Sequence, residues 1–385
     1  MFDFDKRVNR EGSASVKYDL RGEIFGKESV LPMWVADMDF ETPDYIRDAV
    51  KKRADHPVYG YSFMTDSYFK SFMGWVKRRH NWEIQKDWIV FSPGIVTAIN
   101  AAVLAFTEPG DGIIVQSPVY FPFFDAIKNN HRKELNNQLL YLDNTYVIDF
   151  DDLKEKAKEA KMILISSPHN PVSRCWSRDE LKRVGEICLE HDVVIVSDEI
   201  HADLTLPGNI HQPLASLSPE LSEVTITCMA PSKTFNVAGL FTSQIVIKNP
   251  KLRKRFNESM NRYHLVHANL FGMVASEAGY TYGDKWLDAL MIYIRDNFLT
   301  VERFLNEELP ILSLTKPEAT FLAWINFSKT GLSDKELNKK LINEASLGLS
   351  PGRIFGAGGS GFMRMNLATP KSNVVEALNR LKKVF

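Results

Sequence analysis

Short, continuously apolar runs alternate along the middle of the chain with longer segments in which apolar residues recur at helical spacing. Six of the short runs are predicted to be strands: Trp88–Phe91, Ile113–Gln116, Met162–Ser166, Val193–Ser197, Val224–Met229 and Gln244–Lys248. Runs without polar alternation are typical of a largely parallel sheet that helices cover on both faces. The pattern therefore predicts an open α/β sheet with right-handed crossovers over roughly residues 45–280.

Helical spacing is clearest in two of the segments between these runs. Ile95–Phe106 ends at a Pro-Gly breaker, and Arg178–His191 carries its apolar residues on one face. Toward the end of the chain, the pattern predicts a long helix at about Trp286–Glu308 and a smaller α+β unit after it. The signals of that unit are Thr320–Phe327, Asp334–Ala345 and the strand-like Phe362–Ala368.

The length favours two domains, because 385 residues exceed the ~100–200 of a single domain. The chain shows no internal repeat and no low-complexity linker, so the second domain is expected to be built from the chain's ends. We predict an N-terminal segment, residues 1–45, that joins a small domain at residues 281–385. Residues 46–280 are predicted to form the large domain.

Charge and composition exclude several classes of function. The net charge of −1 gives no electrostatic reason to bind nucleic acid or an anionic membrane, and no apolar run approaches the ~18 residues of a membrane helix. No secretory signal is visible, and the cysteines Cys175, Cys188 and Cys228 suit neither a disulfide framework nor a CxxC metal site. His264 and His267 have helical spacing but no third ligand nearby, so no metal is predicted. We expect a cytoplasmic protein.

Chemistry-bearing residues follow the predicted strands, where an open parallel sheet binds its ligands. Gly94 opens a helix whose first N–H groups, at Gly94, Ile95 and Val96, suit a phosphate. Tyr120 stands between two prolines and suits stacking on a flat ring, and Asn170 lies in a loop between His169 and Pro171. Each of these residues also has a purely structural interpretation as a turn or a core aromatic.

Two ionisable residues follow the next two strands. Asp198 ends a buried strand, and burying its carboxylate is costly unless a cation or a cap meets it. Lys233 follows a strand in a nearly apolar context, where its pKa would fall and leave a nucleophilic amine. A phosphate turn, an aromatic, an amide, a carboxylate and a lysine together indicate a single ligand, pyridoxal phosphate (PLP).

Several motifs carry a resemblance to a known family. The order SPG, PVY, PHNP, SDEIH, APSKTFN and FMRMNLATP resembles the fold-type-I aminotransferases of class I and II, and LPMWVADMDF narrows the resemblance to the MalY/PatB-type cystathionine β-lyases. The resemblance spans nearly the whole chain. It implies a PLP-dependent transferase fold: a large domain with a mainly parallel seven-stranded sheet and a smaller α+β domain.

The resemblance also implies a role for each matching residue. Lys233 binds the cofactor covalently and later moves the Cα proton, Asp198 pairs with the pyridine nitrogen, and Arg364 binds the substrate's α-carboxylate. The other implied cofactor contacts are Gly94, Ile95, Val96 and Ser232 at the phosphate, Asn170 and His201 at the phenolic oxygen, and Tyr120 on the ring. Val35, Ala36 and Tyr120 are expected to contact substrate. Tyr61 is expected to reach the phosphate of a neighbouring subunit, which implies a homodimer with shared active sites.

Two departures from the transaminase pattern favour a lyase. Many transaminases carry a phosphate-binding arginine eight residues after the lysine and a serine three before it, whereas this chain has Phe241 and Ala230 there. We therefore expect PLP-dependent β-elimination from cystathionine or cysteine, which yields pyruvate, ammonia and a thiol. A PLP-dependent aminotransferase and a PLP-binding regulator that acts through a protein partner are the alternatives at this point.

Overall fold

The structure is a computed structural model that describes residues 2–385. Its helices are α1 (Val16–Asp19), α2 (Arg21–Phe25), α3 (Asp44–Ala54), α4 (Asp66–His80), α5 (Ile95–Phe106), α6 (Pro122–Asn129), α7 (Phe150–Ala157), α8 (Arg178–Glu190), α9 (Pro219–Val224), α10 (Pro231–Thr234), α11 (Pro250–Arg262), α12 (Leu270–Tyr282), α13 (Asp284–Glu308), α14 (Asp334–Asn343) and α15 (Lys371–Lys382). Its strands are β1 (Leu31–Pro32), β2 (Ile89–Ser92), β3 (Gly112–Val115), β4 (Lys133–Asn136), β5 (Leu140–Leu142), β6 (Thr145–Val147), β7 (Ala160–Ser166), β8 (Val194–Asp198), β9 (Thr225–Met229), β10 (Ser243–Val246), β11 (Ser313–Leu314), β12 (Leu322–Asn326), β13 (Leu347–Gly348), β14 (Ser350–Pro351) and β15 (Phe362–Asn366).

A seven-stranded sheet in the order β2-β10-β9-β8-β7-β3-β4 forms the centre of the protein. Strands β9, β8, β7, β3 and β4 run parallel, and β10 is antiparallel to both of its neighbours. All six predicted strands are present, with bounds that agree to within two residues. The expected α/β fold with a mainly parallel seven-stranded sheet is therefore confirmed.

The strands alternate their side chains between two apolar layers. In β7, Leu164 packs in the cluster that contains Ile99 of α5, whereas Ile163 and Ile165 pack in the cluster that contains Leu181 of α8. Because helices cover both faces, nearly every residue of these strands is buried, which explains the absence of polar alternation in the sequence.

The predicted helices begin and end where their sequence signals lie. Helix α8 begins with a capping box in which Ser177 and Glu180 exchange side-chain-to-backbone hydrogen bonds, and α14 has the same arrangement at Ser333 and Glu336. Helix α5 ends at Phe106, with Thr107 as its C-cap residue, just before the Pro-Gly breaker. No helix of the described residues is long and apolar enough to span a membrane.

The beginning of the chain packs against its end. A four-stranded antiparallel sheet, β11-β12-β15-β14, lies in the C-terminal part, and β1 pairs in parallel with β13. Beyond β1, the Asp39 N–H donates to the Ala368 carbonyl at 2.8 Å. These contacts are those expected of an N-terminal segment that joins a C-terminal domain, while the boundaries at 45 and 280 stay predictions.

Candidate active site

A cleft of about 460 Å³ lies beyond the carboxyl ends of the central strands. Its wall includes every predicted site residue except Tyr61: Val35, Ala36, Gly94, Ile95, Val96, Tyr120, Asn170, Asp198, His201, Ser232, Lys233 and Arg364. The fold thus brings together side chains from both ends and the middle of the chain, as ligand binding at the edge of a parallel sheet requires.

Lys233 lies on α10, a single turn that follows β9 and begins with Pro231. Its Nζ donates a hydrogen bond to the Ala36 carbonyl at 2.6 Å. Burial lowers the pKa of the Lys233 ammonium to about 8, with Asp37 opposing the shift and Arg364 adding to it. A lysine with this pKa exposes an appreciable fraction of neutral, nucleophilic amine near neutral pH.

Asp198 is the last residue of β8, and it is 4% exposed. Its carboxylate accepts the Ile200 N–H at 3.1 Å, and no cationic side chain of residues 2–385 lies within ion-pair distance of it. Burial raises the pKa of the Asp198 carboxyl to about 7. A buried carboxyl without a cationic partner is a suitable counter-charge for a protonated pyridine nitrogen.

The start of α5 forms the anion-binding side of the cleft. Gly94 is its N-cap residue, no side chain caps the helix, and the first turn holds no acidic residue. No heavy atom stands within 4 Å of the position that a Cβ at Gly94 would occupy, so a ligand can approach the backbone there. Uncapped N–H groups with an open approach, together with the nearby Ser232, suit a phosphate.

Arg364 is a buried cation on β15, and no carboxylate of residues 2–385 pairs with it. It donates to Asn170 Oδ1 at 2.9 Å and to the Trp34 carbonyl at 2.9 Å, and its buried Nε has no partner. Burial lowers the pKa of Arg364 to about 10, so the side chain still carries its charge at neutral pH. A desolvated guanidinium with a free donor is the group that a substrate carboxylate would bind.

His201 and Tyr120 border the same space. The His201 ring packs edge-on against Phe321 at 6.0 Å, and its buried Nδ1 lacks a hydrogen-bond partner. Burial, assisted by Lys233 and Arg364, lowers the pKa of His201 to about 3, which keeps the imidazole neutral. Tyr120 packs against Phe121 with ring centroids 5.3 Å apart, so one ring face is fixed at the mouth of the cleft.

Residues 34–39, called the strap below, line the cleft with Trp34, Val35 and Ala36, and the Ala36 carbonyl contacts Lys233. Asn366 Nδ2 donates to the Val35 and Asp37 carbonyls at 2.5 and 2.6 Å. On the outer side, Lys17 forms a buried ion pair with Asp39 at 2.9 Å. The strap is therefore held from the C-terminal sheet and from α1 together.

Tyr61 lies outside the cleft and is fully exposed. Three neighbouring side chains, Val58, Tyr59 and Phe63, are exposed by 60% or more. The single chain thus presents a run of large apolar side chains to solvent and does not bring Tyr61 to its own site.

Residues 29–381 match the family model of aminotransferase class I and II. The chain belongs to this aminotransferase family. It is 46% identical to cystathionine beta-lyase PatB of Bacillus subtilis over 98% of each chain. Its fold matches that of cystalysin from Treponema denticola, a structure with PLP, at a TM-score of 0.97 and 41% identity over 100% of this chain and 98% of that one. It also matches the PLP-bound C-S lyase of Staphylococcus hominis, at a TM-score of 0.93 and 33% identity over 100% and 98%. The expected fold type and the resemblance to PatB-type lyases are confirmed.

Two further residues at the site, Ser350 and Asn366, were not among the site residues predicted from the sequence. Ser350 accepts from Arg364 at 3.3 Å and donates to the Trp34 carbonyl at 3.1 Å, and Asn366 holds the strap. A signal for Asn366 existed, because it lies two residues after Arg364 and so on the same face of a strand. Ser350 gives no such signal, since its strand spans two residues.

Proposed function

We propose that the protein is a PLP-dependent C–S lyase that catalyses β-elimination from cystathionine, cysteine or a related S-substituted cysteine. One observation carries the chemistry: Lys233, Asp198 and Arg364 line a single cleft, and each is a buried or partly buried ionisable group without an opposite charge bonded to it. The 46% identity to a cystathionine beta-lyase supports the lyase assignment over transamination.

The residues of the cleft fit each part of PLP. The uncapped start of α5 and Ser232 suit its phosphate, Asp198 its ring nitrogen, and Asn170 with the neutral His201 its phenolic oxygen. Lys233 suits its aldehyde, and Tyr120 the face of its ring. When bound, PLP supplies an aldehyde that condenses with amines and a ring that accepts the electrons of a Cα–H bond.

The protein groups then act on the substrate in a defined order. Arg364 binds the α-carboxylate through its guanidinium fork and fixes the orientation of the Cα–H bond. Lys233, as a neutral amine, removes the Cα proton, and Asp198 holds a negative charge on the far side of the cleft. The Cβ–S bond breaks, the sulfur leaves as a thiolate that takes up a proton, and hydrolysis of the remainder gives pyruvate and ammonia.

The leaving group faces an apolar wall. Trp34, Phe121 and Ile354 line the cleft, whereas Lys233 and Arg364 are the only basic side chains other than His201 in its wall within the described chain. Because no second guanidinium is available for a distal carboxylate, thioether and thiol side chains suit the space better than the side chain of aspartate or glutamate.

The proposal extends to the assembly: two copies form a homodimer in which Tyr61 of each copy completes the other's phosphate site. The exposed side chains at Val58, Tyr59, Tyr61 and Phe63 support this, since a free surface rarely retains such a run. The chemistry of a phenol that donates to a phosphate oxygen fits the place of Tyr61 in the family pattern.

The test is incubation of the PLP-loaded protein with L-cystathionine in the absence of any oxo acid. We expect stoichiometric pyruvate, ammonia and thiol, and much slower turnover of alanine or aspartate with an oxo acid. Borohydride followed by peptide mapping should place the cofactor on Lys233. Faster amino transfer than pyruvate release would show that the protein is a transaminase, and a label on another lysine would overturn the site.

A further inference from the structure

The carboxylate of Asp203 is buried behind the cleft and accepts hydrogen bonds from three side chains. Trp75 Nε1 lies 2.9 Å and His80 Nε2 2.8 Å from Oδ1, and Thr234 Oγ1 donates to Oδ2 at 2.7 Å. The Asp203 side chain is 6% exposed, and Thr234 is fully buried. Every oxygen of this carboxylate is thus committed to a specific donor.

These bonds join three separate parts of the chain. Trp75 and His80 belong to α4, Asp203 lies in the segment that follows Asp198, and Thr234 is the residue after Lys233. Thr234 ends the single turn α10, which is too short to hold its own geometry by helical hydrogen bonds. The orientation of the Lys233 side chain therefore depends on what anchors this turn from outside.

Asp203 acts as a charged anchor. Burial would raise the pKa of the Asp203 carboxyl. The hydrogen bonds from His80, Thr234 and Trp75, together with the charge of His80, outweigh burial and leave this pKa below its usual value. A hydroxyl forms a shorter and stronger hydrogen bond with a buried anion than with a neutral acceptor.

We infer that Asp203 is a positioning residue for Lys233, acting through Thr234, and that it fixes the distance between the lysine amine and Asp198. The inference rests on the proposed role of Lys233. Because Asp203 lies on the same segment as Asp198, its bond to Thr234 ties the end of β8, with Asp198, to the turn after β9, with Lys233. A displacement of the amine by about 1 Å is enough to slow a proton transfer by up to ~100-fold.

The test compares one chemical change at two buried positions, Thr234 at the end of α10 and Thr225 at the start of β9. Thr234→Val removes the hydroxyl that donates to Asp203, and Thr225→Val removes a hydroxyl that donates to the Leu221 carbonyl at 2.7 Å. Thr225 begins β9, at the opposite end from the cleft, so it serves as a control for general loss of a buried hydrogen bond. Thr234→Ser keeps the hydroxyl and tests for rescue.

Three quantities are measured on each variant: the midpoint of thermal unfolding, the rate at which cofactor-free protein condenses with added PLP, and kcat and KM for cystathionine. We expect Thr234→Val to lower kcat by about 10- to 100-fold, with KM changed less than about 2-fold, and to slow condensation. Thr234→Ser should retain most of both rates. Thr225→Val should lower the midpoint without slowing either rate.

Equal losses of rate in Thr234→Val and Thr225→Val, or a serine variant as slow as the valine variant, would overturn the inference. The condensation rate is read without any sulfur substrate. If the wild-type protein condensed with PLP at Lys233 but released no pyruvate, the lyase proposal would fail and the positioning of Lys233 would still be decided by the three variants.

Discussion

Two buried groups of opposite charge face one cleft without neutralising one another. Arg364 contacts only neutral acceptors, and Asp198 accepts only a backbone N–H. Holding such groups apart is unfavourable for the folded protein, but it leaves each ready for a ligand group of opposite charge. This arrangement suits a zwitterionic substrate and a charged cofactor.

Replacing Arg364 by lysine should separate the effect of its positive charge on substrate binding from the effect of its planar guanidinium. Lys keeps the positive charge but loses the planar fork, so kcat/KM for cystathionine should fall by about 30-fold or more, mostly through KM. The midpoint of thermal unfolding should fall as well, because lysine cannot keep all of the buried hydrogen bonds to Asn170, Trp34 and Ser350. Steady-state kinetics and a thermal scan measure the two effects.

Arg132→Lys is the control, because Arg132 is a partly buried arginine that donates to Thr107 and does not line the cleft. It should leave KM unchanged. A wild-type KM in Arg364→Lys would contradict the assignment of the carboxylate site.

The predicted site residues were those whose chemistry is visible in local sequence. Lys233, Asp198 and Asn170 each follow an apolar run, and the sheet's edge brings such positions together. Asp203 and Ser350 were not predicted, because their importance comes from partners 31 and 14 residues away and is set by tertiary packing. The sequence alone does not show which donors will contact a carboxylate that the fold buries.

At the scale of elements, the strap depends on a short helix that precedes it. Lys17 of α1 is fully buried against Asp39, and Arg10 adds a second bond to the same carboxylate at 2.8 Å. The pKa of Asp39 is lowered, since Lys17 and Arg10 outweigh the opposing effect of burial. Removing either partner of a buried ion pair strongly destabilises the folded protein.

Asp39→Asn should lower the free energy of unfolding by about 3–5 kcal/mol at pH 7, because it leaves the Lys17 ammonium buried and without a full counter-charge. The folded-state pKa lies below the unfolded one, so the wild-type advantage is fully present above the ordinary Asp value. It is lost as the pH falls through the folded-state pKa. Denaturant titrations of both proteins from pH 7 down to pH 3 should show the gap narrowing.

Glu41→Gln provides the comparison, since Glu41 pairs with Lys6 at 2.7 Å on the surface, where both side chains are well exposed. Its effect at pH 7 should be at most about 1 kcal/mol. A gap for Asp39→Asn that stayed constant down to pH 3 would show that the carboxylate charge is not what stabilises the strap.

The strands with continuous apolar runs were predicted from the sequence, whereas β4 was not. Lys133–Asn136 forms the edge of the sheet and, within the described residues, pairs only with β3; three of its four residues are polar, and two of these are exposed. An edge strand of this composition carries no apolar run and no clear alternation, and backbone pairing alone defines it. The motif of the strap is visible in the sequence, but its hydrogen bond with Lys233 is visible only in the fold.

At the scale of the whole molecule, the active site of a single chain is incomplete if Tyr61 contributes to the site of a neighbouring copy. Tyr61→Ala should weaken PLP binding and lower turnover, although Tyr61 lies outside the cleft of its own chain. Sedimentation should show a dimer at micromolar concentration. A fully active monomer would contradict the shared site.

Mixing two impaired variants gives the sharper test. In a hybrid dimer of Lys233→Ala and Tyr61→Ala chains, one site carries both defects and the other carries neither. Random exchange of equal amounts should therefore restore about one quarter of the wild-type sites. Mixing Lys233→Ala with Arg364→Ala is the control, because both defects then lie in each chain's own cleft and no site is restored.

The strap comes from the start of the chain, and its Trp34, Val35 and Asp37 carbonyls are held by groups from the end, with 330 residues separating Trp34 from Arg364. Its Met38 carbonyl is held by Asn236, from the middle of the chain. During translation, the strands of the central sheet are all made by Val246, so the sheet can pair while the C-terminal part is still being synthesised. Arg364 and Asn366 leave the ribosome among the last residues. In a nascent chain the strap can therefore bond to Asn236 and Lys233 early, but three of its carbonyls wait for their partners until translation is nearly finished.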